Sequence, residues 1–133
     1  MAKKESLIFY VSGRYTGQTV EETDINIRHA ENVARTIWRA GFAAICPHTN
    51  SAHFDDEANY LTFIEKYMDI VERCDVVVAM IGYQTSLGAT VEVAYAERLG
   101  KTIIPEIELD DYLQSIQRGN ERRDIAGRVL MGA

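Results

Sequence analysis

The sequence predicts an α/β fold: a single-domain, doubly wound, flavodoxin-like or Rossmann-like parallel sheet of four to five strands with helices on both faces. Three observations carry this expectation. Short apolar, β-rich runs alternate with helix-spaced segments in the order β-α-β-α-β-α-β-α, which favours a parallel sheet with right-handed crossovers. The longest uninterrupted apolar run, Val76–Ile81, reads as a strand covered on both sides. A chain of 133 residues is one domain by size and long enough to bury a core without staples.

The elements follow in order. Ser6–Val11 is apolar and β-rich and stops at Ser12-Gly13. Asp24–Ala40 places Ile27, Ala30, Val33 or Ala34, and Ile37 on one helical side, and Gly41 ends it. Phe42–Cys46 is a short strand stopped by Pro47. Ala58–Cys74 gathers Phe63, Ile64, Tyr67, Val71 and Cys74 on one helix face, and Asp75–Ile81 is the third strand. Ser86–Leu99 is a helix ended by Gly100, Lys101–Ile104 a strand closed by Pro105, and Asp110–Val129 a weaker helix expected to break near Gly119. In that last helix Tyr112, Leu113, Ile116 and Ile125 form the apolar stripe. Tyr112, Leu113 and Ile116 suit a homodimer contact or, more simply, cover for the chain's own sheet.

Composition narrows the function. With 14 Lys+Arg against 20 Asp+Glu the net charge is −6, against a binder of duplex nucleic acid but not against a small phosphorylated ligand. Six apolar residues in a row are too few for a membrane span, and Met-Ala-Lys-Lys-Glu has no apolar signal region behind it. Cys46 and Cys74 sit in apolar segments as reduced core residues. A cytoplasmic protein without membrane contact is the expectation.

In a doubly wound sheet, ligands bind beyond the carboxyl ends of the strands. Four segments qualify: Ser12–Thr23, Pro47–Glu57, Gly82–Thr85 and Pro105–Leu109. The sharpest clue stands just after the third. On the wheel of Ser86–Leu99, Glu92 shares its side with Gly88, Ala89, Tyr95, Ala96 and Leu99, while Thr90, Glu97, Arg98 and Lys101 face the other way. An acid on the apolar side is costly to bury unless it has a partner or a task. Arg14 and Lys66 are the candidate structural partners; the functional alternative is a carboxylate beside a ligand, with Gly88 and Ala89 leaving room. Ser86 is a natural N-cap whose helix start can also hold a phosphate.

The first loop, Ser12-Gly13-Arg14-Tyr15-Thr16-Gly17, offers glycines for close backbone approach, Arg14 for a phosphate and Tyr15 for stacking; a plain turn explains it equally. It lacks the ending of a phosphate-cradling P-loop. The second, Pro47-His48-Thr49-Asn50-Ser51-Ala52-His53, suits hydrogen bonds from His48 and Asn50 to a substrate hydroxyl or base, with ordinary loop polarity as the alternative. His48 and His53 with Asp55 and Asp56 lack a familiar metal-ligand spacing, so no metal and no cofactor is expected.

Gly82-Tyr83-Gln84-Thr85-Ser86-Leu87-Gly88-Ala89-Thr90-Val91-Glu92, following Cys74-Asp75 and an apolar strand, resembles the nucleoside 2-deoxyribosyltransferase superfamily. That group includes the 2′-deoxynucleoside 5′-phosphate N-hydrolases and many small bacterial and phage proteins. Tyr10–Gly17 matches its first loop and Cys46–Asn50 looks like a subgroup's second; the similarity covers about residues 7–104. The resemblance implies that Glu92 is a nucleophile attacking the sugar C1′, with a covalent glycosyl-enzyme released by water or by a second base. Ser86 matches the serine that contacts the 5′-phosphate in the phosphate-specific members, which tilts the substrate toward a nucleoside 5′-monophosphate. One position departs. The family's usual aspartate, eight residues before the Asp75 equivalent, is here Tyr67. Tyr67 then either orients Glu92 or assists the leaving base, or is simply core. The rival functional reading is a non-catalytic nucleotide-binding or sensor module on the same fold.

Overall fold

A computed structural model describes residues 6–130, with side chains described to residue 119. Four strands, β1 (Ile8–Ser12), β2 (Ala43–Ile45), β3 (Val76–Ala79) and β4 (Thr102–Pro105), form one parallel sheet in the order β2-β1-β3-β4. The helices are α1 (Val20–Arg39), α2 (Pro47–Asn50), α3 (Tyr60–Glu72), α4 (Leu87–Arg98) and α5 (Leu109–Leu130). The expected α/β class, strand number and two helical layers are those observed.

Strand alternation sorts the core into two halves. Phe9 and Val11 of β1, with Val76 and Val78 of β3, face α1 and α5 and meet Ala30, Val33, Ala34, Ile37, Leu109 and Leu113. Tyr10 and Val77 face α3 and α4 and meet Tyr67, Val71, Val93 and Ala96. β1 therefore presents Tyr10 and Ser12, two residues apart, to the α3/α4 side, and both are fully buried. Tyr112 and Ile116 pack against the first cluster, with the Tyr112 ring 6.2 Å from that of Phe9, so this stripe covers the chain's own sheet. Ile125 lies beyond the described side chains.

Element ends differ from expectation where local chemistry decides them. α1 begins four residues before Asp24, because the Thr19 hydroxyl accepts the Glu22 N–H at 3.1 Å and Glu22 reaches back to the Gln18 N–H. Such reciprocal capping stabilises a start that periodicity alone does not reveal. The expected loop after β2 opens with the single turn α2, begun by Pro47 at a position that needs no N–H. α5 runs unbroken through Gly119, since a helix-interior glycine costs about 1 kcal/mol without forcing a stop. In α4 the buried stripe is Ala89, Glu92, Val93 and Ala96, and Leu99, expected inside, caps the helix 44% exposed.

β2 and β4 lie on opposite sides of the β1/β3 pair, so the chain winds away in both directions from the carboxyl ends of β1 and β3. A crevice opens at this kind of reversal. Its two walls differ in how they use glycine. A side chain on Gly13 would collide with Met80, whose Cβ lies 2.9 Å from the added atom, whereas one on Gly88 would meet the Tyr60 hydroxyl at an ordinary 3.5 Å. Gly13 thus has a packing reason, and Gly88 leaves space that the protein itself does not need.

Gly13→Ala is expected to lower unfolding free energy by about 1–3 kcal/mol through overpacking, and Gly88→Ala to leave it within about 1 kcal/mol of the parent. Chemical denaturation of both variants checks this; equal losses would contradict the contrast.

Candidate active site

A cavity of about 370 Å³ occupies the crevice, within the size range of small-molecule sites. Residues 13–16 after β1, the α2 turn and its following loop, the start of α3 and the first turns of α4 line it. The turn from β3 into α4 is made possible by Gly82, whose φ of 85° is the left-handed conformation that glycine adopts freely. Ser86 then caps α4, accepting the Ala89 N–H on its Oγ at 3.2 Å.

Glu92 lines this cavity and is 8% exposed. Its Oε2 accepts the Tyr10 hydroxyl at 2.6 Å and its Oε1 accepts the Ser12 hydroxyl at 2.8 Å. Among the described residues no cation pairs with it. Arg14 donates instead to the Thr16 carbonyl, and Lys66 approaches Asp69 on its own helix. Burial pushes the Glu92 carboxyl up from 4.5 to about 7, against the opposing pull of the hydrogen bonds from Tyr10 and Ser12. Tyr10 is in turn raised well above its ordinary value, chiefly by burial and then by the adjacent Glu92.

Tyr67 and Glu92 border the same cavity, but the Tyr67 hydroxyl is bound to α2. It accepts from Asn50 Nδ2 at 3.1 Å, hydrogen-bonds with Ser51 Oγ at 2.5 Å and lies 3.5 Å from the Pro47 carbonyl. Tyr10 and Ser12, not Tyr67, orient Glu92. Asn50 is exposed and supports Tyr67 without lining the cavity, so the expected substrate contact is not where this structure places it.

His48 is 3% exposed and its Nε2 donates to the Arg14 carbonyl at 2.9 Å, tying the second loop to the first. Its Nδ1 has no partner among the described residues, and burial lowers its pKa, which disfavours the charged ring. Tyr15 stands beside it, ring centroids 5.8 Å apart, and its hydroxyl accepts the His53 N–H at 2.8 Å. Gly13, Arg14, Tyr15, His48, Ser86, Gly88, Tyr67 and Glu92 are thus brought around one space.

Sequence reasoning gave Tyr10 and Ser12 no role at Glu92, because it read Tyr10 within an apolar strand and Ser12 as the first residue of the loop beyond it. Their signal was present: two hydroxyl residues two positions apart in an apolar strand share a face. It also passed over Asp55, Tyr60, Phe63 and Ile64 as cavity wall.

Residues 7–105 match a family described as a domain of unknown function, DUF4406. The chain belongs to that family. No curated protein matches the sequence. Among solved structures, this DUF4406 chain is similar to a 2-desoxiribosyltransferase from Leishmania mexicana, with a TM-score of 0.55 and 20% identity over 74% of this chain and 63% of that one. A 2-deoxyribosyltransferase from Bacillus psychrosaccharolyticus follows at 0.54 and 17%, over 74% and 70%. A CMP N-glycosidase, BcmB, from Clostridium botulinum is matched more loosely, at 0.49 and 16% over 74% and 66%. At these identities the likeness establishes that the DUF4406 chain shares the deoxyribosyltransferase fold. Among its described residues, no helix is long and apolar enough to cross a membrane.

The Glu92 shift fixes a pH dependence of stability. Its folded pKa lies above that of a free glutamate, so between about pH 4.5 and 7 the native state keeps a proton that the unfolded chain has lost. Stability therefore falls as pH rises through that window. Glu92→Gln removes the titration while hydroxyls at positions 10 and 12 still pair with the amide. The variant is expected to exceed the parent by up to about 3 kcal/mol at pH 8 and to converge with it at pH 4, as read by denaturant unfolding. A difference independent of pH would contradict this.

Proposed function

We propose that this chain cleaves or exchanges the N-glycosidic bond of a nucleoside or 2′-deoxynucleoside 5′-monophosphate, with Glu92 as the nucleophile. One observation carries the reading: a buried carboxyl, held by two hydroxyls and lacking a cation, borders a nucleoside-sized cavity at the sheet's reversal. The 2-deoxyribosyltransferases that share the fold support the same reaction class.

In the first step a Glu92 oxygen bonds to C1′ as the C1′–N bond breaks, and the bond pair leaves with the base. The resulting glycosyl ester is displaced by water in hydrolysis or by a second base in transfer, and the electron pair returns to the carboxylate. Tyr10 and Ser12 fix the side chain against rotation and stabilise the anion released in this second step. At the start of α4, the Ser86 hydroxyl accepts from Ala89 and so keeps its own proton for an anion, beside the first-turn amides of that helix. Arg14 lines the cavity within the first loop and pairs with the same phosphate.

A second reading is a nucleotide-binding module without turnover. The observation favouring it is Tyr67, a phenol bound to Ser51 at the position where the resembled enzymes carry an acid. Chromatographic detection of free base separates the two.

Glu92→Gln is expected to reduce base release at least about 10³-fold while nucleotide binding persists. For the parent, kcat/KM is expected to rise as pH increases through about 7, because only the ionised carboxylate attacks. Turnover in Glu92→Gln near the parent's would remove the nucleophile and leave the binding module.

A further inference from the structure

We propose that the preferred substrates are N-glycosides whose base is a cationic aromatic ring, such as a pyridinium or an N-alkylated purinium, leaving as a neutral molecule without protonation. This rests on the glycosyl-transfer reading above and narrows its substrate class.

The first argument concerns what the cavity lacks. A neutral base is a poor leaving group and departs readily only when an acid protonates it. On the α3 side the acid's place is taken by Tyr67, whose hydroxyl is within hydrogen-bond reach of Ser51 Oγ and the Pro47 carbonyl, and burial disfavours the charged form of His48, whose Nε2–H is held by the Arg14 carbonyl. Neither is placed to give up a proton, and the one carboxyl besides Glu92 among the lining residues, Asp55, stands exposed beside the Tyr15 hydroxyl. A cationic base needs none: when its bond to C1′ breaks, the electron pair cancels the ring's charge.

The second argument concerns what lines the cavity. Tyr15, Tyr60, Phe63 and Tyr67 present aromatic surface, and Asp55 adds an exposed carboxylate beside the Tyr15 hydroxyl. Aromatic faces backed by an anion are a recognised receptor for a flat cation. Arg14, the one Lys or Arg side chain lining the space among the described residues, is the group the reading above assigns to the phosphate, and it is tied through its Nε to the Thr16 carbonyl.

The third argument concerns Glu92 itself. It is a buried carboxyl without a counter-charge, and burial keeps much of it protonated near neutrality. A cation seated in the cavity supplies the missing charge and draws Glu92 into the ionised form that attacks. The steps balance. The carboxylate forms a bond to C1′, the neutral base leaves, and both charges vanish together. Water then takes C1′, its proton passes to solvent, and the carboxylate is restored.

The test uses matched pairs with one sugar phosphate: nicotinamide mononucleotide against its dihydro form, and 7-methylguanosine against guanosine 5′-monophosphate, with common deoxynucleoside monophosphates included. Free base is read by chromatography for the parent and Asp55→Asn. The expected result is a kcat/KM at least about 100-fold higher for the cationic member, with Asp55→Asn losing about tenfold in KM on that member alone. Comparable cleavage within the pairs, or an equal effect of Asp55→Asn on both members, overturns the cation preference and leaves glycosyl transfer standing. No base release from any compound overturns glycosyl transfer and this inference together.

Discussion

The carboxyl of Glu92 has been taken out of water and given two hydroxyls, but no cation, in exchange. That exchange is unfavourable in a finished protein core. Burying an acid costs several kcal/mol, by order of magnitude, and hydrogen bonds from neutral donors recover only part of it. The arrangement makes sense when the uncompensated group faces a space to be filled by a ligand. Here the space exists, and the two hydroxyl residues that hold the acid come from one face of a single strand.

The rest of the architecture serves that placement. The β2-β1-β3-β4 order opens a crevice at the carboxyl ends of the two central strands. Gly82 turns the chain from β3 into α4, and α4 carries Glu92 back over β1. The facing wall is α2, held by the Tyr67 hydroxyl through Asn50 and Ser51 and joined to the first loop by His48. A hydroxyl network that fixes a wall is a different device from a carboxylic acid that donates a proton, and this difference separates the site chemically from a general acid–nucleophile pair.

The fold and the inward acid were legible because both rest on periodicity. The alternation of strand and helix runs gave the doubly wound parallel class without the strand order, and the wheel of α4 put Glu92 opposite Thr90, Glu97 and Arg98 without any coordinates. Less legible were features set by contacts between distant elements. Tyr10 and Ser12 meet Glu92 across about eighty positions of sequence, and nothing local in β1 says which partner its hydroxyls find. Tyr67 was correctly placed facing inward, yet its bonding partners were on the loop beyond β2. Gly13 looked like a ligand-facing glycine until its contact with Met80 gave it a packing reason. The early start of α1 was readable in Thr19 and Glu22, a capping signal that the apolar spacing masked.

The account depends on the ionisation of one side chain, and carbon-13 NMR reads that directly. In protein labelled at glutamate side-chain carboxyls, the Glu92 resonance is identified by its loss in Glu92→Gln and followed with pH. A midpoint near 7 is the predicted result. A midpoint near the 4.5 of a free glutamate would mean that residue 92 is solvated or already paired, and the carboxyl would no longer be the uncompensated group around which the cavity is built.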